Sequence, residues 1–343
     1  MINVLVVDDS AFMRRAITKM LEGEPEIAVC GTARNAEEAL SKLDQLRPDA
    51  ITMDVEMPGM GGLEAVREIM SRRPTPIIMV SALTQQGAET TFRALELGAV
   101  DFIAKPDSAY ANISDVARDL TAKLLEFGRT KRTAQRVLRA RKPERRTAAF
   151  DCVAIGTSTG GPVALTRIIP RIPAAFPVPI VIVQHMPAGF TRPLSERLNA
   201  QSAVHVVEAH DGLRLQPGLA AIAPAGRQLR LQRSPAGIEV VLSDDDGGSL
   251  HVPSVDAMTE SVAHVYGGAS LGVILTGMGQ DGVAGLKCIK QAGGYVLGQD
   301  EESCVVYGMP RAAALAGLVD RVVSLDEVAP VLCELTNTKF ASS

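Results

Sequence analysis

Apolar and polar positions in residues 1–127 follow two alternating periods. Short apolar runs predict five strands, and the stretches between and after them, with apolar residues every three or four positions, predict helices. The strands are Ile2–Val7, Ile27–Gly31, Ala50–Met53, Pro76–Val80 and Val100–Ile103, and the helices are Ala11–Leu21, Ala36–Leu46, Gly62–Met70, Thr84–Leu97 and Ile113–Phe127. This alternation predicts a parallel α/β sheet of the (βα)5 type, with a binding crevice at the carboxyl ends of the strands.

Strand patterns resume after residue 150. The predicted strands are Cys152–Ile155, Val178–Val183, Val204–Val207, Leu219–Ile222, Leu271–Leu275 and Gly294–Leu297. Two further runs, Gln228–Gln232 and Ile238–Leu242, are separated by Ser-Pro-Ala-Gly and predict a β-hairpin. The second half is therefore predicted to be a doubly wound, mainly parallel α/β domain with a β-hairpin insertion.

The two halves are joined by a basic segment, residues 128–147, that has nine Lys or Arg residues, one Glu and no apolar stripe wide enough to bury. Residues 1–127 (13 basic, 20 acidic) and 148–343 (13 basic, 18 acidic) are each net acidic. We predict domains at 1–127 and 148–338 with a linker at 128–147. Because neither domain has a large basic excess, nucleic-acid binding is not expected.

Length and composition fit a two-domain globular protein, with 343 residues of which 46% are hydrophobic and 22% charged. The N-terminus lacks the basic start and long apolar run of a signal peptide, and no later run approaches the ~20 apolar residues of a membrane span. The five scattered cysteines form no C-x-x-C pair. These features predict a cytoplasmic protein that is not embedded in a membrane.

Charged residues follow several strands of the first half. Asp8 and Asp9 follow the first strand and Asp54 the third, while Ser81 ends the fourth and Lys105 follows the fifth. A single Asp-Asp pair after a strand is more often a helix cap or a solvated loop. All four strand ends together, however, place converging carboxylates beside a hydroxyl and a cation, which is what Mg²⁺-dependent phosphoryl transfer to an aspartate requires.

This pattern resembles the flavodoxin-like receiver domains of two-component response regulators over about residues 1–125. The resemblance implies that Asp54 is phosphorylated and that Phe102 occupies the aromatic switch position, moving inward with Ser81 on phosphorylation. The residues implied to hold Mg²⁺ are Asp8, Asp9 and Asp54, and those implied to contact the phosphoryl group are Ser81 and Lys105.

Three polar motifs follow strands of the second half. Ser158 lies in GTSTGGP, which fits the G-x-S-x-G pattern of a strand-to-helix turn; His185 lies in VQHMP; Asp281 lies in LTGMGQDG. Parallel strands would bring the three tips to one sheet edge, where the imidazole can activate the serine and the carboxylate can orient the imidazole. The order Ser–His–Asp differs from that of α/β-hydrolases.

Each motif has a plainer interpretation. GTSTGGP taken alone is equally compatible with a phosphate- or dinucleotide-binding loop, although no acidic residue clearly ends the next strand. His205 and His210 are expected to face solvent, and His251 and His264 have no informative spacing. The run Asp244–Gly248 is expected to be a polar turn.

The combination of a receiver, a basic linker and these three motifs resembles the chemotaxis protein-glutamate methylesterases (CheB-type) over nearly the whole chain. The resemblance implies that Ser158, His185 and Asp281 form a catalytic triad, with Thr159 and the backbone around Met278 near the substrate oxyanion. The implied reaction is hydrolysis of glutamate γ-methyl esters on chemoreceptor cytoplasmic domains, together with glutamine deamidation, and no cofactor is implied for this chemistry.

The resemblance also implies regulation and partners. A histidine kinase would phosphorylate the receiver, which in its unphosphorylated form would obstruct the esterase site. Methyl-accepting chemoreceptors would be the substrates, and the protein is expected to be a monomer. Two other interpretations are a DNA-binding response regulator, in which the basic segment contacts nucleic acid, and a non-catalytic receptor adaptor. The predicted triad argues against both.

Overall fold

The computed structural model describes residues 1–82, 84–105, 113–130, 150–244, 248 and 250–340. The chain divides into two compact units, Met1–Gln135 and Arg136–Ser343. Both units are α/β, as the pattern of apolar positions predicted. Among the described residues, no helix combines the length and the apolar character needed to cross a bilayer.

The first unit alternates five strands and five helices. The strands are β1 (Ile2–Val7), β2 (Ile27–Ala33), β3 (Ala50–Asp54), β4 (Ile77–Ser81) and β5 (Asp101–Ala104), and the helices are α1 (Ala11–Leu21), α2 (Ala36–Leu46), α3 (Gly61–Arg72), α4 (Gln85–Glu96) and α5 (Ile113–Thr130). The strand order is β2-β1-β3-β4-β5, and every neighbouring pair is parallel. This is the flavodoxin-like order, so the predicted fold class is confirmed.

Helix starts in the first unit are fixed by short polar side chains. Ser10, Asn35 and Thr84 each accept a hydrogen bond from a backbone N–H in the first turn of α1, α2 and α4, respectively. Such caps satisfy donors that have no partner inside the helix. At each of these three helices the chain therefore turns from a strand end directly into the helix. The strand-end residues are left at the crevice.

The second unit is built on a parallel sheet of seven strands. Its strands are β6 (Cys152–Thr157), β7 (Ile180–Gln184), β8 (His205–Glu208), β9 (Leu219–Ile222), β12 (Ser270–Ile274), β13 (Tyr295–Gln299) and β14 (Arg321–Val323), and the hairpin strands are β10 (Gln228–Ser234) and β11 (Gly237–Ser243). The helices are α6 (Gly161–Ile168), α7 (Thr191–Gln201), α8 (Val255–Tyr266), α9 (Val283–Gln291), α10 (Met309–Leu315) and α11 (Leu325–Leu335). The sheet order is β14-β13-β12-β6-β7-β9-β8.

The predicted hairpin is confirmed as an antiparallel pair, β10 with β11. Its apolar residues Leu229, Leu231 and Val240 belong to the same buried cluster as Met258 and Val262 of α8. Because apolar burial is the main favourable contribution to packing, the hairpin holds α8 in place beside the sheet. The N-terminus of that helix is part of the site described below.

Several predicted boundaries differ from the structure. β6 and β7 extend past their last apolar residues to Thr157 and Gln184, since both polar side chains are buried and make hydrogen bonds. The short strand β14 was not predicted. Helix α5 continues through Thr130, three residues into the predicted linker, and residues 131–147 of that linker lie outside the described residues.

Candidate active site and phosphoacceptor site

The second sheet reverses its order at β6. The chain passes from β6 to β7 on one side and later places β12 on the other side, all parallel. At such a switch point the loops leave in opposite directions and open a crevice at the carboxyl edge. Ser158 follows β6, His185 follows β7, and Asp281 lies in the loop after β12, so all three predicted residues lie at this edge.

Ser158 and His185 are neighbours across two strand ends. Thr157 pairs with Gln184 in the last register position, and the backbone N–H of His185 donates to the carbonyl of Thr157 at 3.1 Å. Ser158 and His185 are therefore the next pair in register. Regular parallel strands lie about 4.8 Å apart, which places the two residues within side-chain reach.

The turn after Ser158 requires glycine. Gly160 has φ of +78°, a conformation that a residue with a Cβ adopts only at a cost. A Cβ on Gly161 would collide with the side chains of Gln184 and Thr157. These two glycines let α6 begin directly behind Ser158, so the positive end of the helix dipole lies beside the serine.

His185 and Asp281 are in direct contact. The imidazole Nε2 lies 2.8 Å from the Asp281 Oδ2, and only 11% of the His185 side chain and 8% of the Asp281 side chain are exposed. The Nδ1 atom of His185 is buried and has no hydrogen-bond partner among the described residues. If Nε2 donates to the carboxylate, Nδ1 carries the free lone pair and can accept a proton.

Asp281 is held by the start of α8. Its Oδ1 accepts from the Ser254 hydroxyl (2.9 Å) and the Asp256 N–H (3.0 Å), and its Oδ2 also accepts from the Val255 N–H (2.7 Å). Burial acts to raise the pKa of Asp281, but the hydrogen bond and charge of His185 and these N–H donors outweigh it and lower the pKa below its ordinary value. The carboxyl is thus kept ionised beside the imidazole.

Gln184 links the serine and histidine loops. Its buried side-chain amide donates to the carbonyl oxygens of Ser158 (2.8 Å) and His185 (2.7 Å). One side chain therefore fixes the relative position of the two strand ends. Its Oε1 is buried and has no hydrogen-bond partner among the described residues.

The loop that contains Met278 runs beside the serine. A Cβ built on Gly277 would lie 2.9 Å from the Cβ of Ser158, and Gly277 is held by backbone hydrogen bonds with Val306, Gly308 and Met309. Within the described residues the N–H of Met278 donates to no acceptor. Thr159 is buried, and its carbonyl accepts from the Thr276 hydroxyl at 2.9 Å.

The first unit brings the predicted acidic cluster together at the carboxyl ends of its strands. Ligand atoms of Asp8, Asp9 and Asp54 lie within 4.8 Å of one another, and Lys105 Nζ lies 2.9 Å from Asp54 Oδ2 and 3.9 Å from Asp8 Oδ2. Asp8 and Asp54 are fully buried, whereas Asp9 is exposed. The Asp8 Oδ2 is buried without a hydrogen-bond partner among the described residues.

The buried carboxyl groups of this cluster are in an environment that disfavours their charged forms. Burial, together with the charge of Asp54, raises the pKa of Asp8 to about 6. Burial likewise raises the pKa of Asp54, although Lys105 opposes the increase. Two buried carboxylates share one lysine, so a hard divalent cation with oxygen ligands fits the site and would relieve the repulsion.

Ser81 and Phe102 are both buried. The Ser81 hydroxyl donates to the carbonyl of Ala82 at 3.3 Å. Phe102 is 2% exposed and packs edge-on against Phe92, and its carbonyl accepts from Lys123 Nζ at 2.8 Å. The expected inward movement of Phe102 is therefore not available from this conformation, because the ring already lies inside the domain.

Some site residues were not found from the sequence. Ser254 precedes the periodic run that forms α8, which is a helix-start signal, but nothing local connects it to Asp281. The spacing of His251 in the sequence indicates no role, yet its ring stacks on that of His185 with centroids 4.2 Å apart and planes 16° apart. His205 and His210 are exposed, as expected.

Fold and site together define a two-domain α/β protein in which a phosphoacceptor-type acidic cluster precedes a hydrolase-type Ser, His and Asp arrangement. A family model described as CheB methylesterase matches residues 153–332, and one described as response regulator receiver domain matches residues 4–114. The chain belongs to the CheB methylesterase family and carries a response regulator receiver domain.

Relatives match over nearly the full length. A Nitratidesulfovibrio vulgaris protein named protein-glutamate methylesterase/protein-glutamine glutaminase 2 is 44% identical, covering 97% of this chain and 98% of its own. A Halalkalibacterium halodurans protein named protein-glutamate methylesterase/protein-glutamine glutaminase is 45% identical, covering 96% of each chain. The crystal structure of the Thermotoga maritima CheB methylesterase catalytic domain is 41% identical with a TM-score of 0.53, covering 55% of this chain and 100% of that one.

Proposed function

We propose that this protein is a phosphorylation-activated serine esterase that hydrolyses glutamate γ-methyl esters on chemoreceptor cytoplasmic domains and deamidates selected glutamines there, giving sensory adaptation in chemotaxis. The observation that carries the chemistry is the His185 Nε2 contact with Asp281 at 2.8 Å. The Nδ1 atom, at the strand end next to Ser158, is buried and has no partner among the described residues. The full-length relatives support the substrate class.

In the proposed mechanism Ser158 Oγ attacks the ester carbonyl while His185 Nδ1 accepts the serine proton. Asp281 stabilises the resulting imidazolium through Nε2–H. Collapse of the tetrahedral intermediate expels methoxide, which takes the proton from His185 and leaves as methanol. Water then attacks the acyl-enzyme with His185 as base, which releases the glutamate carboxylate and restores Ser158. A glutamine side chain would lose ammonia by the same steps.

The developing oxyanion is assigned to the side of Ser158 that faces Thr159 and Met278. The Met278 N–H has no acceptor among the described residues, and the N-terminus of α6 directs its positive end toward the same region. Preorganised N–H donors of this kind stabilise a tetrahedral oxyanion without reorganisation during the reaction.

In the receiver, Asp54 is the proposed phosphoacceptor, and a histidine kinase is the proposed phosphodonor. Asp8, Asp9 and Asp54 would hold Mg²⁺, which when bound neutralises charge on the phosphoryl oxygens. Lys105 contacts the Asp54 carboxylate and supplies a second positive charge, and Ser81 lies at the neighbouring strand end.

The proposed domains are a receiver at 1–127, a linker at 128–147 and a catalytic domain at 148–338. We place the enzyme in the cytoplasm, where a receptor's cytoplasmic domain is accessible. The expectation of a monomer stays a prediction.

The function is tested by methanol release from methylated receptor. We expect a small phosphodonor with Mg²⁺ to raise the rate, Asp54→Asn to remove that stimulation, and a chain lacking residues 1–127 to show higher basal activity than the full chain. The crystallised Thermotoga maritima catalytic domain indicates that such a fragment can fold alone. No methanol release under any condition, or a truncated enzyme slower than the full chain without phosphodonor, would contradict the proposal.

Gln184→Glu should damage the site while changing few atoms. The substitution replaces two amide donor bonds with a carboxylate facing two carbonyl oxygens, so the Ser158 and His185 strand ends lose their link. We expect kcat/KM to fall roughly 100-fold and the free energy of unfolding to fall by about 1–3 kcal/mol. Gln232→Ala, at an exposed position of β10, is the control. Unchanged kinetics in Gln184→Glu would remove Gln184 from the site.

Mg²⁺ binding to the receiver should weaken at acid pH. The raised pKa of Asp8, about 6, means that a proton occupies the carboxyl below that pH and must leave before the cation binds. We expect the apparent Kd for Mg²⁺ to rise about tenfold as pH falls from 7 to 5. Titration calorimetry on the full chain can follow this. A Kd that is the same at pH 7 and pH 5 would contradict the assignment.

A further inference from the structure

We infer that His251 is a positioning residue for the catalytic base: its stacked ring holds the His185 imidazole in the plane in which Nε2 meets Asp281 and Nδ1 stays directed at the serine side of the crevice. This inference rests on the proposed triad. Its starting observation is the near-parallel stack of the two rings, with centroids 4.2 Å apart and planes 16° apart.

The stack restricts a motion that the hydrogen bonds leave open. A single contact, Nε2 to Asp281, fixes one edge of the His185 ring, while Nδ1 at the other edge has no partner among the described residues. An imidazole held at one edge can still tilt about that contact. A flat ring against its face opposes the tilt, because aromatic pairs prefer defined stacked geometries.

The backbone at His251 is fixed by hydrogen bonds. Its carbonyl accepts from the buried Gln228 side-chain amide at 3.0 Å, and the Oε1 of the same amide accepts from the Ser254 N–H at 2.8 Å. The backbone of residue 252 is also tied, since the Gly226 N–H donates to the Val252 carbonyl at 3.0 Å. The backbone that carries the His251 ring is therefore fixed to the hairpin strand β10 and the loop before it.

The same short segment contacts both members of the acid–base pair. His251 lies on the face of the base, and Ser254, Val255 and Asp256 donate to the carboxylate of Asp281. Residues 251–256 thus set the position of His185 and Asp281 relative to each other. The segment contacts Asp281 through the start of α8, and it contacts His185 through the stacked ring of His251.

Because the His251 side chain is exposed, its effect on the chemical step can be distinguished from an effect on stability. Removing an exposed side chain rarely changes the free energy of unfolding much, whereas loss of one aromatic pair at the base should slow the chemical step. We expect His251→Ala to lower kcat roughly three- to tenfold with KM nearly unchanged. His251→Phe keeps a flat ring and should restore most of the rate, and His251→Leu fills similar space without a ring and should not.

The decisive experiment measures how fast Ser158 in the full chain reacts with a fluorophosphonate, a probe of activated serines that needs no receptor substrate. Thermal melting of each variant and His264→Ala, an exposed imidazole in the last turn of α8, are the controls. Slower labelling in His251→Ala and His251→Leu, near-normal labelling in His251→Phe and equal melting temperatures support the inference. Equal labelling rates in all variants, or slower labelling that tracks a lower melting temperature, overturn it. Wild-type protein that is not labelled at Ser158 contradicts the proposed triad instead.

Discussion

Replacing Ser158 with alanine should lower the rate of methanol release by at least about 10⁴-fold, because it removes the hydroxyl that would form the acyl-enzyme. Cys152 and Cys304 offer no substitute, because burial raises the pKa of both thiols far above the ordinary value. Neither is a thiolate near neutral pH. Release of methanol from methylated receptor, followed over time, is the measurement.

The fold of this variant should be intact. Within the described residues the Ser158 hydroxyl makes no hydrogen bond, so we expect its free energy of unfolding to change by less than about 0.5 kcal/mol. Asp54 should still be phosphorylated in the presence of Mg²⁺. Ser202→Ala removes another hydroxyl that has no hydrogen-bond partner among the described residues, and it should keep full activity. Turnover in Ser158→Ala near that of the unaltered protein would refute the nucleophile assignment.

Asp281→Asn should have the second largest effect, lowering kcat by roughly 10³- to 10⁴-fold. Both carboxylate oxygens of Asp281 accept hydrogen bonds: Oδ1 from Ser254 and Asp256, and Oδ2 from Val255 and His185. Whichever way an asparagine is placed, its NH2 faces at least one of these donors. Either the start of α8 moves, or His185 changes tautomer and loses the free Nδ1.

Measurements of stability and of activity should distinguish the two effects of Asp281→Asn, one on the start of α8 and one on His185. We expect the free energy of unfolding to fall by about 1–3 kcal/mol, because backbone donors at the start of α8 lose an acceptor. The larger kinetic loss would come from the histidine. Asp326→Asn, with 74% of its side chain exposed, is the matched control and should change neither quantity. A variant that is destabilised but retains its kcat would show that Asp281 serves only to hold the helix.

The acidic cluster of the first unit and the pair Ser158 and His185 of the second unit were predictable because their residues lie at the ends of apolar strands. Once β1, β3, β4 and β5 are read as parallel strands, their carboxyl ends must share one edge, and Asp8, Asp54, Ser81 and Lys105 come with them. The same logic located Ser158 and His185. It worked because apolar strand runs and their polar ends are local features of the chain.

The boundaries of these strands were predicted less well, for a reason that local patterns do not contain. Thr157 and Gln184 look like loop residues because they are polar, yet both lie inside the sheet. Their side chains bond to Thr276, Ser158 and His185, and Thr276 is 119 residues from Thr157. A polar residue can extend a buried strand only when such a distant partner satisfies it.

Local patterns along the chain were enough to predict the strands and helices of the first unit, the strands of the second unit except β14, the succession of a receiver and an α/β esterase, and the placement of Ser158, His185 and Asp281 at one sheet edge. The contacts at that edge follow only from the folded structure: His185 meets Asp281 through Nε2, the start of α8 holds the carboxylate, and the His251 ring stacks on the His185 ring. These contacts join residues 66 and 96 positions from His185. The spacing of residues along the sequence does not predict such pairs. They form only when the sheet order and the packing of the hairpin against α8 bring separate loops to one place.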